Sequence, residues 1–221
     1  MTYLELVQHL HSDVGAAGNA PATVVSQRGE SLRLVQWIQS ADWYIQSLYT
    51  NWKFLQVIDQ AFVTVALAET VSKPATLKQW DLDSFKYNSG SIEAVEYHKI
   101  RTEFFDSTIT GPPSRLIIQT NNDLSPDPVP DAAYSFTGSY FKKPILLTTN
   151  SQVSLIPDDF HMVILGRAMI LYGNYEGAPE VKQQGQEIYG EFFPRLYDDQ
   201  IPQEGYAGYK GTGGFFQVTT E

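Results

Sequence analysis

The 221-residue chain contains no cysteine, so disulfides, thiolate catalysis and cysteine-ligated metals are excluded together. Basic residues are few: 15 Lys plus Arg against 25 Asp plus Glu leave a formal charge of -10, which disfavours a surface built to neutralise phosphates or to read DNA sequence. No stretch reaches the roughly 18 consecutive apolar residues of a membrane span, since Gly166 and Arg167 interrupt the apolar patch at 162–171. The first residues lack the basic-then-apolar order of a secretory signal, with Glu5, Gln8 and His9 breaking any apolar run. A soluble protein made and used in the cytosol is the expectation. GxSxG, HExxH and a glycine-rich phosphate loop are all missing, and no repeat of fixed period occurs.

What is present folds. Apolar residues make up 43% of the chain and aromatics 13%, an ordinary globular balance that argues against wholesale disorder. Thr2 and Glu5 form a capping-box pattern ahead of Tyr3, Leu6, Val7 and Leu10, predicting a helix over about 2–13. Leu34, Ile38, Ala41, Ile45 and Leu48 predict a second helix over about 28–51, with Trp37, Trp43 and Trp52 read as core. After Trp52 the run of Val57, Phe62, Val63 and Val65 turns β-like, with Asp59 and Gln60 marking a hairpin or bulge. Residues 72–91 read as loop with a short strand, which leaves Trp80 the best candidate for an exposed aromatic. Ser91 is placed as the cap of a helix carrying Ile92, Val95, Ile100 and Phe104, ended by Gly111-Pro112-Pro113.

The clearest strand lies in residues 124–160. A proline and aspartate turn cluster at 126–131 precedes it; Tyr134, Phe136, Gly138 and Tyr140 then fall on one face, and Ser135, Thr137 and Ser139 on the other. Arg115–Thr120 is expected to pair with it. Pro157-Asp158-Asp159 opens the next helix with an aspartate cap and a solvent-side His161. Phe160, Val163, Ile164, Ala168 and Leu171 follow, with Gly173 as the stop. Pro179 starts a further helix, and Pro194 either ends or kinks it. From 200 onward glycines alternate with Tyr206, Tyr209, Phe215 and Phe216, a tail that should not hold one conformation alone, so a partner surface is its expected tether.

Chemistry is sparse. His9 and His11 point to different faces of a helix, whereas helical chelation needs i, i+3 or i, i+4. Carboxylate pairs at Asp81/Asp83, Glu93/Glu96, Asp158/Asp159 and Asp198/Asp199 admit a glycoside hydrolase on paper, but a chain this acidic contains such pairs by chance. A carbohydrate- or receptor-binding virion surface module using Trp80 as its platform is a further alternative. No catalytic, cofactor-binding or metal-binding residue is assigned.

Four stretches, taken in order, carry a resemblance: MTYLELVQHLHSDVG, RGESLRLVQWIQSADWYIQSLYTNWKFL, PDPVPDAAYSFTGSYFKKPILLT and IPDDFHMVILGRAMILYGNYEG. Over about residues 1–198 the chain resembles the head-to-tail adaptor (connector) proteins of tailed bacteriophages. The resemblance implies an α+β fold in which residues 1–52 and 157–199 form a helical bundle, 53–156 a β-rich insertion, and 200–221 an extended C-terminal arm. It also implies a non-enzymatic ring of about twelve copies with cyclic symmetry. The implied place is the virion neck, assembled in the host cytoplasm. The implied partners are the portal protein, tail or nozzle proteins, and genomic DNA passing through the lumen without sequence-specific binding, with no membrane contact. Tyr206, Tyr209, Phe215 and Phe216 would then be the arm's anchor residues.

Overall fold

The protein, seen in a computed structural model, is described over residues 1–88, 90–100 and 108–201. Helix α1 (Tyr3–Asp13) begins with the full capping box: Glu5 N donates to Thr2 Oγ1 at 3.3 Å, and Thr2 N donates to Glu5 Oε2 at 2.8 Å. Helix α2 (Gly29–Leu48) buries Leu34, Ile38, Ala41 and Ile45 as its spacing requires. A 3-10 turn, Lys53–Leu55, then leads into the strands.

Among the described residues seven strands occupy the middle of the chain: β1 (Gln56–Val63), β2 (Leu77–Tyr87), β3 (Gly90–Ser91), β4 (Glu93–Glu96), β5 (Arg115–Ile118), β6 (Leu124–Asp127) and β7 (Ser135–Lys142), with a four-residue helix α3 (Tyr97–Ile100) after β4. They form two sheets, one ordered β1-β7-β2-β3 and one ordered β4-β5-β6. β1 carries the bulge that its sequence suggests, with a register shift between Val57 and Gln60 and Asp59 at φ +50°. β7 is central and presents Phe136, Gly138 and Tyr140 inward; Gly138 is required because a Cβ there would stand 2.5 Å from the Phe85 ring.

Helices α4 (His161–Glu176) and α5 (Pro179–Gln200) close the described chain and pack backbone to backbone. A Cβ on Gly185 would meet Gly166 O at 2.8 Å, and one on Gly173 would meet Ala178 O at 2.8 Å. Small residues here let the two helix axes approach closely and bury α4 on most of its circumference. The fold is thus α+β, with helices at both ends and a strand-rich middle. Its buried apolar residues fall into two clusters, one gathering α1, α2, α4 and α5 around Trp52 and Leu34, the other gathering the strands around Phe85, Leu116 and Trp80.

Several sequence expectations are corrected. Arg115–Ile118 does not pair with β7, whose two edges are taken by β1 and β2; β5 pairs antiparallel with β6 through a tight turn in which Asn122 adopts φ +67°, and parallel with β4. Pro126 therefore lies within a strand, tolerated because β6 is an edge. The segment after Ser91 forms β4 and the short α3, not one long helix; Phe104 lies outside the described residues. Residues 77–87 are a long strand, hidden in the sequence because a register shift between Asp81 and Lys86 breaks its alternation. Helix α4 does not stop at Gly173: it continues to Glu176, and Gly177 at φ +67° supplies the left-handed cap. Neither aspartate caps α4, because Asp158 and Asp159 are taken up in a 3-10 turn before it. Of the two alternatives at Pro194 the stop is excluded, since helix α5 runs on through it to Gln200.

Candidate interaction surfaces

Residues expected to be alike on sequence grounds are separated by the fold. Trp52 is fully buried, donating from Nε1 to Ile45 O at 3.1 Å and stacking on Phe54 with centroids 5.2 Å apart. Trp43, two residues past the buried Ala41 on α2 and so turned to the opposite face, is 46% exposed and is not core. Trp80 reverses the opposite expectation: it is 3% exposed, donates from Nε1 to Asn122 O at 2.9 Å and packs edge-on to Phe62 and Tyr140. It offers no ring face to a sugar. His161 is also corrected, being fully buried, with Nε2 2.9 Å from Ile156 O and Nδ1 2.8 Å from the Met1 amine; burial holds its pKa below the ordinary imidazole value.

The four carboxylate pairs lie on four different elements: β2, β4, the turn before α4, and the last turn of α5. His9 makes an i, i+4 ion pair with Asp13 at 3.1 Å. Among the described residues no group of three or more His, Asp or Glu is arranged to hold a metal ion, and no helix is long and apolar enough to cross a membrane. Among the described residues the buried acid is Asp42, which accepts from Ser154 Oγ and from Gln46 Nε2 at 2.8 Å; desolvation pushes it up to about 6. Gln46 in turn holds the strand-to-helix return segment, accepting from Ile145 N at 3.0 Å. This cluster faces the interior and reads as structural.

The exposed aromatics Trp43, Tyr44 and Tyr175 lie instead on the outer side of α2 and α4. Trp43, Tyr44, Leu146 and Leu171 line a groove of about 320 Å³ with Arg167 in its wall. The Arg167 guanidinium lies over the Tyr44 ring at 4.3 Å, and its Nε is buried with no hydrogen-bond partner among the described residues. Farther along the same two helices, Arg33 lies over Tyr175 at 4.8 Å and Trp37 meets Tyr172 edge-on at 5.5 Å. Tryptophan, tyrosine and arginine in a partly desolvated groove are the side chains that carry binding energy at protein interfaces. The signal for this groove was present in the chain: adjacent Trp43 and Tyr44 lie off the Leu34–Ile38–Ala41–Ile45 stripe and cannot both face the core. Tyr206, Tyr209, Phe215 and Phe216 lie outside the described residues.

The arrangement defines an α+β protein with an aromatic-lined groove on the outer side of α2 and α4. The family model described as SU10 adaptor protein matches residues 1–207, and the chain belongs to that family. The match supports the phage adaptor resemblance read from the sequence. A search of curated proteins finds no match.

Proposed function

We propose that the chain is a non-enzymatic, ring-forming adaptor of the virion neck that joins the phage portal to the tail and forms part of the DNA conduit. The observation that carries this reading is the adaptor family match across residues 1–207. In this reading the bundle segments 1–52 and 157–199 form the collar and 53–156 the insertion. Tyr206, Tyr209, Phe215 and Phe216 anchor the arm on a partner surface, portal or adjacent copy. The net charge of -10 suits a conduit wall past which DNA moves without sticking.

The test is native mass spectrometry and electron microscopy of the purified protein, alone and mixed with portal. A closed ring of about twelve copies docked on the portal is the expected result for a cyclic assembly. A chain lacking residues 200–221 should fold but dock more weakly. Undiminished docking would remove the arm from the reading, and a protein that stays monomeric with portal present would overturn the adaptor ring itself.

A further inference from the structure

Strand β1 lies at one end of its sheet, paired only with β7, so one side of its backbone has no strand partner among the described residues. Natural sheets guard such an edge with lysine, proline, inward charges or bulges; here the bulge at 57–60 guards the first half of β1, and residues 61–67 beyond it carry none of these. Residues 54–72 (FLQVIDQAFVTVALAETVS) contain no lysine, arginine or proline. Alternation there is unusual in its outward half. Phe62 and Thr64 point inward and are buried, whereas Val63 (54% exposed) and Val65 (66%) point outward beside Ala61. Leu67 (72%) prolongs the stripe from a turn in which it is held at φ +63° with its N–H on Pro130 O at 2.7 Å. Ile58 (70%) adds a further exposed apolar side chain within the bulge itself. An apolar strand edge beyond the bulge, left open to water, is costly unless it is covered in the assembled protein.

The remainder of the chain contains a segment suited to cover it. Residues 215–220 read FFQVTT, five of six being aromatic or β-branched, and they follow Gly213-Gly214. The described chain ends beside the base of β1, where Lys53 Nζ donates to Asp199 O at 2.6 Å and Ile201 is buried in the helical cluster. Residues 202–214 between that point and the FFQVTT segment span at most about 45 Å when extended. A globular body of this size is roughly 40 Å across, so the segment reaches a neighbour placed alongside.

We infer that residues 215–220 add as a strand to the free edge of β1 of the adjacent copy, with Phe216 and Val218 against the Val63–Val65 stripe. This rests on the ring reading above. Donor segment and acceptor edge are different surfaces, so the contact is head-to-tail and propagates around a ring, whereas pairing one β1 with another would stop at a dimer. Backbone ladder bonds would supply affinity and the alternate side chains the register.

The cysteine-free chain makes the test direct. Full-length chains carrying single cysteines at 61, 63 or 65 are mixed with chains carrying Val218→Cys or Phe216→Cys under mild oxidation, since a bridge needs Cβ atoms about 3.5–4.5 Å apart. Covalent dimers from the mixtures, and a ladder extending to the full ring from a double-cysteine chain, are expected. Val63→Lys, at an exposed position that leaves the fold intact by circular dichroism, should weaken ring assembly at least tenfold. A double-cysteine chain that bridges only to itself would overturn pairing between copies, and so would a native-mass ring with no cross-link in any mixture. Cross-linked dimers without a closed ring would support the strand pairing and overturn the ring reading instead, so the two failures are separable.

Discussion

Ser154 Oγ donates to Asp42 Oδ1 across 112 residues of sequence, tying α2 to the segment that returns from the strands. The same carboxylate takes Gln46 Nε2 at 2.8 Å, and Gln46 fixes Ile145 N. Two hydrogen bonds favour the charged form, yet burial outweighs them and pushes Asp42 up to about 6.

The sign of the pH effect follows. Asp42 has a higher pKa folded than unfolded, so its contribution to stability is fully present below about pH 4 and lost as pH rises through about 6. The displacement from the ordinary value near 3.9 amounts to roughly 2–3 kcal/mol. His161 acts the other way, its lowered pKa giving stability that is present above about 6.5 and lost as pH falls through the lowered value. The two oppose each other, so wild-type melts alone would mask both. Subtracting the stability of Asp42→Asn from that of wild type, by urea unfolding at pH 4, 5.5 and 7, should give a difference that falls by that amount as pH rises. A difference constant with pH would show that Asp42 titrates as an exposed acid.

The seam between α4 and α5 makes a sharper prediction because its neighbours are backbone atoms. A Cβ at Gly185 would meet Gly166 O and Ile170 N at 2.8 and 2.9 Å, which no rotamer change relieves. Gly185→Ala should therefore cost about 2–4 kcal/mol despite its better helix propensity. Gly190, on the same helix with nothing within 4 Å of its would-be Cβ, is the control. Gly190→Ala should stabilise by about 0.5–1 kcal/mol. Chemical denaturation of the two variants separates crowding from propensity.

Helices α1 and α2 were legible in the chain and the sheets only partly. Helix α1 declared itself through Thr2 and Glu5, and α2 through an unbroken stripe, because both signals are local. Strand β2 was read as only a short strand because Ser84 replaces ladder bonds at its irregularity: its Oγ donates to Asp81 O at 2.6 Å and accepts from Ser139 N at 2.7 Å, so Trp80 and Phe85 fall out of phase in the sequence while sharing one core. The partner of β5 was misassigned because strand order is a competition, and only the fold reveals that β7 is already flanked on both edges. The groove around Arg167 joins α2, α4 and Leu146 from distant parts of the chain, so its aromatic half could be read and its walls could not.

Gly138 and Phe85 form a testable pair within the strand cluster. A methyl at 138 would stand 2.5 Å from Phe85 Cε1 and 2.6 Å from Cδ1, with the ring fully buried. Gly138→Ala alone should destabilise by about 1–3 kcal/mol through overpacking. Phe85→Leu alone leaves a void and should cost about 1–2 kcal/mol. Because the added methyl fills the space that the smaller side chain vacates, the double variant should be more stable than the sum of the single effects by about 1 kcal/mol or more. Additive losses would place the strain elsewhere in β7.

Trp43 and Trp52 finally separate folding from assembly within one short stretch. Trp52 lies between Tyr49 and Phe54, with no exposure and a satisfied Nε1, so Trp52→Ala should cost about 3–5 kcal/mol. Trp43 keeps nearly half its surface in water and contributes mainly one wall of the Arg167 groove. Trp43→Ala should leave the unfolding free energy within about 1 kcal/mol of wild type. If the groove is an interface, the same change should weaken self-assembly or portal docking by tenfold or more, as truncation of a buried aromatic anchor does. Paired measurements of urea midpoint and of assembled mass decide it: a stable Trp43→Ala protein that assembles like wild type would remove the groove from the contact surface.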